Sequence, residues 1–170
     1  MQKKELFANE EDEPKLLLTI ILIQLVAMVG AILMSRLAKR IGSWWVLTIA
    51  VIIWIFICIA GFNVQTQLQF YFLAALVGLV MGGIQSMSRS TYSKLLPATK
   101  DTTSFFSFYD VTEKIAIVIG IFTFAYIEEQ TENIRNSIIA LGSFFVVALL
   151  ALLYARNAVT QRLKEIEKRD

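Results

Sequence analysis

The sequence predicts an all-α, polytopic transmembrane helical bundle with five spans, and three observations carry that prediction. First, 56% of the 170 residues are hydrophobic. Second, they gather into five blocks, at 16–34, 44–62, 70–87, 105–127 and 138–154, each 17 to 23 residues long. A helix needs about 20 residues to cross the ~30 Å hydrocarbon core. Five helices that are apolar all round cannot all be interior in so small a chain. Third, basic residues alternate between the connections, as they do when successive loops lie on opposite sides of a membrane.

Composition narrows the chemistry. Histidine is absent and Cys58 is the single cysteine. Ser-His and Cys-His nucleophiles, imidazole metal sites and an intrachain disulfide are therefore excluded. The stretch 78–86 lacks the Lys-Ser/Thr pair of a phosphate loop. The expectation is no enzyme: no catalytic residue, no metal site and no cofactor. The basic residues follow the loops, so no nucleic-acid partner is expected. The expected partners are a lipid bilayer and a small-molecule substrate.

The elements follow in order. Residues 1–15 carry five acids. Without a cleavage pattern behind a short apolar core they read as an extracytoplasmic polar tail or loop, not a signal peptide. The transmembrane bundle covers 16–157. The first span, 16–35, has small residues at Ala27, Ala31 and Ser35 and one amide, Gln24. Arg36, Lys39 and Arg40 follow with no acid. The second span, 44–63, opens on Trp44 and Trp45, whose amphipathic rings favour the headgroup level. Cys58 inside it packs as a small hydrophobe.

An uncharged connection leads to the third span, 69–88. There Ala74, Gly78, Gly82 and Ser86 recur every four residues. That spacing puts them on one helix face, where small side chains let a second backbone approach closely. Ordinary packing inside the bundle and a specific dimer face both fit. Gly82-Gly83 is either a flex point or a place of close approach. Gln85 is the second amide near mid-membrane, and it bridges helices or touches substrate. After the fourth span, 105–127, an acidic turn leads to the fifth, 137–155, and to a basic tail, 158–170. The first and third connections and the tail hold eleven basic residues, against four in the N-terminal tail and the other two loops. The positive-inside rule then puts the N-terminus outside and the C-terminus in the cytoplasm. Such a start suggests a loop that follows an earlier helix, so the chain reads as part of a larger protein.

The fourth span raises the main functional question. Asp110, Glu113 and Lys114 interrupt it. Counting back from Ile127, Lys114 lies roughly 9 to 13 Å and Asp110 roughly 3 to 7 Å below the cytoplasmic boundary, at ~1.5 Å per residue. An ionisable group costs about 2.5–3.5 kcal/mol at the centre of a membrane helix on insertion scales. The three share a face by their i, i+3, i+4 spacing, and Asp110 and Lys114 can pair along the helix. Thr112, Ala116 and Gly120 line a different face. One reading is a shallow, self-paired cluster with a snorkelling Lys114 below an aromatic belt. The other is a water-lined pathway for a proton, an ion or a charged substrate, in which Glu113 has no local partner.

Two motifs carry a resemblance. Gly82, Gly83 and Gln85, then Ser88-Arg89-Ser90, Leu95 and Pro97, then Phe105, Phe106, Phe108, Tyr109 and Lys114 resemble the last third of major facilitator superfamily permeases of the vacuole effluxer-like (autophagy-related permease) family. Glu113 stands where many members carry Gly. Gly30, Arg36, Arg40 and Gly42 lie in a segment similar to the superfamily's cytoplasmic loop motif, with Lys39 where an acid is expected. The resemblance covers about 4–157. It implies helices 8–12 of a twelve-helix transporter that works by alternating access, and amino-acid export for the first-named members.

The functional expectation is the C-terminal part of a secondary active transporter for a small solute, amino acids or related metabolites among the candidates. It would sit in the plasma (inner) membrane and be incomplete without N-terminal transporter helices or a second chain. The pathway candidates are Asp110, Glu113, Lys114, Gln85 and Gln24. The packing candidates are Ala74, Gly78, Gly82, Ser86, Ala116 and Gly120. The alternative is a non-transporting integral membrane protein: a homo-oligomer, a regulatory partner or a degenerate remnant.

Overall fold

The computed structural model describes residues 13–97 and 101–167, with side chains over 20–97 and 101–162. The tail expected at 1–15 lies largely outside the described residues, as do 168–170 of the basic tail. Five helices run in order: α1 (Glu13–Ile41), α2 (Ser43–Asn63), α3 (Gln67–Leu95), α4 (Thr102–Thr131) and α5 (Ile134–Glu167). All but α4 are long and apolar enough to cross a membrane. No eighteen-residue stretch of α4 has fewer than three charged side chains, although its 30 residues make about 45 Å of helix.

The helices overrun the apolar blocks. α1 continues through Arg36, Lys39 and Arg40, because these are good helix formers. Only Gly42, at φ 91°, separates it from α2, in a conformation that favours glycine. α3 begins in a capping box, where Thr66 accepts from the Gln69 amide and the Gln69 side chain accepts from Thr66. It runs unbroken through Gly82-Gly83 and ends two residues before Pro97. α4 ends at Glu132, in the left-handed conformation at φ 48°. α5, 34 residues or about 51 Å, is longer than the hydrocarbon core is thick.

The core lies where α1, α2 and α3 meet. α1 packs chiefly on α3, and α2 lies between α3 and α5. The α1–α3 contact is backbone to backbone. A Cβ on Gly82 would land on the Ala27 carbonyl, and one on Gly30 on the Leu79 carbonyl. A Cβ on Gly78 would come 2.8 Å from the Ile23 oxygen. One core cluster gathers Met34, Val46, Leu47 and Met87, with Leu152 of α5 against it. A second gathers Ala50, Ile57 and Val80. α5 joins α2 by stacking Phe145 on Trp54, ring centroids 4.9 Å apart, and by bringing Gly142 close to Cys58. α4 has α5 as its main backbone neighbour and no buried residue of its own. The α1–α2 and α3–α4 connections and the C-terminal part of α5 share one end, called the basic end below.

Candidate functional site

α3 and α4 meet through side chains at the basic end, and there the charged candidates find their surroundings. Arg89 Nη2 lies 3.1 Å from Asp110 Oδ1 and donates to Oδ2 at 3.2 Å. Tyr109 donates its hydroxyl to Ser88 Oγ at 3.0 Å. Tyr92 donates to the Phe105 carbonyl, also at 3.0 Å. The rings of Tyr92, Phe106 and Tyr109 cluster, with centroids 5.0 and 5.9 Å from that of Tyr92. The Arg89 guanidinium sits 5.7 Å from the Phe106 ring centroid. Asp110 thus takes its partner from α3, across 21 residues of sequence, rather than Lys114 from its own helix. The inter-helix pair is better because Arg89 brings several donors and a flat face that suits Phe106.

Helix spacing extends this link into a strip. Gln85, Ser88, Arg89 and Tyr92 share one face of α3, and Phe106, Tyr109, Asp110 and Glu113 share one face of α4. The helices are antiparallel, so each turn up α4 is a turn down α3. In the register set by Ser88–Tyr109 and Arg89–Asp110, Gln85 is level with Glu113. Glu113 is half-buried; Gln85 and Lys114 are exposed. The strip therefore carries one cation, two carboxylates, an amide and two phenols.

The remaining candidates lie elsewhere. Gln24 is exposed on α1, one residue from Ile23 at the α3 contact. Ala74 is half-buried, and Gly78 and Gly82 sit against the α1 backbone. Ser86, on the same face, is exposed. Ala116 is exposed, and a Cβ on Gly120 would meet nothing within 4 Å. Of the loop-motif residues, Gly30 is a packing position against Leu79, Arg36 and Arg40 are exposed, and Gly42 is the break between helices. Sequence reasoning missed the role of Arg89, Ser88 and Tyr92 as partners of α4. The available signal was their i, i+1, i+4 spacing, matched by Phe105, Tyr109 and Asp110 on the next helix.

Two grooves lie away from this strip. One of about 800 Å³ between α2 and α3 is lined by Phe56, Leu68, Phe72 and Leu76. Another of about 340 Å³ between α2 and α5 is lined by Ile55, Cys58, Ile139 and Val146. Their walls suit acyl chains rather than a polar solute. Among the described residues no group of three or more Cys, Asp or Glu could hold a metal ion.

Comparison with known proteins adds a family. The sequence pattern of the family described as vacuole effluxer Atg22-like matches residues 1–162. An uncharacterized MFS-type transporter, YxiO of Bacillus subtilis, is 30% identical over 139 residues, covering 82% of this chain and 32% of the relative. Autophagy-related protein 22 of Cryptococcus neoformans is 32% identical, covering 82% of this chain and 27% of the relative. The Kluyveromyces lactis protein of that name is 34% identical, covering 78% and 29%. The chain thus spans a third or less of the length of these relatives. No solved structure matches it.

Proposed function

The chain belongs to the vacuole effluxer Atg22-like family, and on that footing we propose that it is the C-terminal part of a secondary active transporter that moves a small polar solute by alternating access. One observation carries the reading: a strip of Gln85, Arg89, Asp110 and Glu113 between two helices of a hydrocarbon bundle. Placing such groups at membrane depth is costly, and in membrane helices they mark substrate or ion paths. In this reading Arg89 and Asp110 neutralise each other while the path is closed. Glu113, level with the neutral Gln85, is the proton or cation carrier; Lys114 and Gln24 lie toward the path's margins. All five helices span, with α4's strip turned away from lipid. The basic end is cytoplasmic, the N-terminus is outside, and the membrane is a plasma (inner) membrane. The parts of the relatives that this chain does not match supply the other half of the rocking pair.

A chimera tests this. The chain replaces the matching third of the Bacillus subtilis relative, and proteoliposomes are screened for solute-driven changes in internal pH. Proton-linked flux is expected, with Glu113→Gln cutting it at least tenfold and Gln24→Ala leaving it largely intact. Unimpaired proton-linked flux with Glu113→Gln would remove the carrier role. The chain alone is expected not to transport.

A second reading rests on the open face of α4, where Thr112 and Ala116 are exposed and nothing lies near Gly120. A non-transporting homo-oligomer could close on that face, since small residues there allow close helix approach. The mass of the purified chain in detergent separates the two: a tight, uniform oligomer favours this second reading, a monomer the first.

A further inference from the structure

The basic end carries a second charged feature, separate from the strip. Arg156 of α5 stacks on the Trp45 ring of α2, its guanidinium carbon 4.1 Å from the centroid. Lys94 of α3 donates to Ser43 Oγ at 2.8 Å. Arg36, Lys39 and Arg40 occupy the last turns of α1 and are exposed. Gly42 alone separates α1 from α2, so Arg40 lies within about 11 Å of Ser43 at ~3.8 Å per residue. Leu152, one turn before Arg156, packs against the Met34, Val46 and Met87 cluster and fixes α5 to the other three helices at this level. Three helices therefore deliver five cations to one corner, and α2 supplies the tryptophan there, which is 49% exposed.

Among the described residues no carboxylate is paired with that charge. No acid occurs between residues 20 and 63 or between 134 and 162. Among the described residues the ion pair is Arg89–Asp110, and none joins these five cations to a carboxylate. Trp45 holds Arg156 by one face and leaves the edge donors of its guanidinium free, a geometry that matches phosphate oxygens. Tryptophan favours the headgroup level of a bilayer, which sets the depth of the corner.

We propose that this corner binds the phosphate of an anionic phospholipid in the leaflet at the basic end. Topological sorting by itself needs only Lys and Arg in a short loop, with no preferred headgroup. A built corner of Arg156 on Trp45, Lys94 on Ser43 and the α1 cations makes a headgroup preference.

The test uses the chain with Trp44→Phe and Trp54→Phe, so that Trp45 is the sole indole, in bilayers of mixed phosphatidylglycerol and phosphatidylcholine. Bromine is placed on one lipid or the other. Brominated phosphatidylglycerol is expected to compete at least about fivefold better for the Trp45 site, the factor one basic residue near an anionic surface supplies. Arg156→Gln with Lys94→Gln is expected to bring that preference close to unity at unchanged helix content. Arg156→Lys should keep most of the preference, and Arg135→Gln, at the opposite end, all of it. Equal quenching by both lipids would overturn the proposal, and so would a preference that survives the double variant. Loss of the preference on adding millimolar inorganic phosphate would overturn the lipid assignment in favour of a soluble phosphate compound.

Discussion

At the scale of single residues, two kinds of glycine are told apart by what surrounds them. A Cβ on Gly82 would collide with the Ala27 carbonyl of α1, whereas one on Gly120 would meet nothing within 4 Å. Gly82→Ala is therefore expected to destabilise the chain by about 1–3 kcal/mol, the usual cost of overpacking. Gly120→Ala should be neutral or add up to about 1 kcal/mol through helix propensity. Thermal unfolding in detergent reads both, and equal losses would contradict the α1–α3 contact. Asp101 makes a different point. It caps α4, accepting from the Ser104 hydroxyl at 2.7 Å and from the Ser104 amide at 3.2 Å, and these bonds hold its carboxyl below the ordinary value. A depressed carboxylate contributes stability above its unfolded pKa and loses it as pH falls through the folded one. The first turn of α4 should hold at neutral pH and fray in acid below the usual carboxylate range. Amide exchange at Ser104 measures this, with Asp101→Asn as the variant that lacks the pH response. Protection that stays constant into strong acid would rule the cap out.

At the scale of helices, the α3–α4 link is made of side chains. Its ion pair is half-exposed, 55% for Arg89 and 46% for Asp110, and solvent screens such pairs to about 0.2–1 kcal/mol. A double-mutant cycle with Arg89→Ala and Asp110→Ala should return a coupling in that range, and the reversed pair Arg89→Asp with Asp110→Arg should recover part of it. Zero coupling would mean that the ring cluster and the Tyr109–Ser88 and Tyr92–Phe105 hydrogen bonds hold the helices without the ion pair. The α1–α3 contact is of another kind. It rests on glycines and needs no charge, so salt should loosen α3 from α4 while leaving α3 on α1. The matched spacing on α3 and α4 was on view in the residues, but it named neither the Arg89–Asp110 pair nor the Tyr109–Ser88 bond, because each also needs the knowledge that α3 and α4 lie side by side in a particular register. The charges on α4 were legible; their partner was not, since Lys114 is nearer in sequence than Arg89.

At the scale of the molecule, helices α1, α2 and α3 form the packed part, and α4 sits at the margin with no buried residue. Hydrogen exchange should follow that order, because opening free energy tracks buried contact. The α4 amides are expected to exchange well ahead of those of α2 around Ala50 and Ile57, as measured by mass spectrometry in detergent. Simultaneous exchange of all five helices would show a single cooperative unit instead. The two charged features at the basic end also differ in composition. The strip joins cation to carboxylate and faces another helix. The corner around Trp45 gathers cations alone and is the one proposed to meet lipid phosphate.

What the residues alone determined is the number of helices, their all-α transmembrane character and the family, because apolar length and short motifs are local properties. Helix ends were less legible: Arg36 to Ile41 and Ser88 to Leu95 are helical though not apolar, since backbone hydrogen bonding continues wherever side chains permit it. The tertiary structure decided the rest. It resolved Gly82-Gly83 as a place of close approach to α1, gave Asp110 to Arg89, set Glu113 level with Gln85, and brought Arg156 onto Trp45. Each of these depends on which helix faces come to lie opposite each other, and that follows from the packing of the whole bundle, not from any one segment.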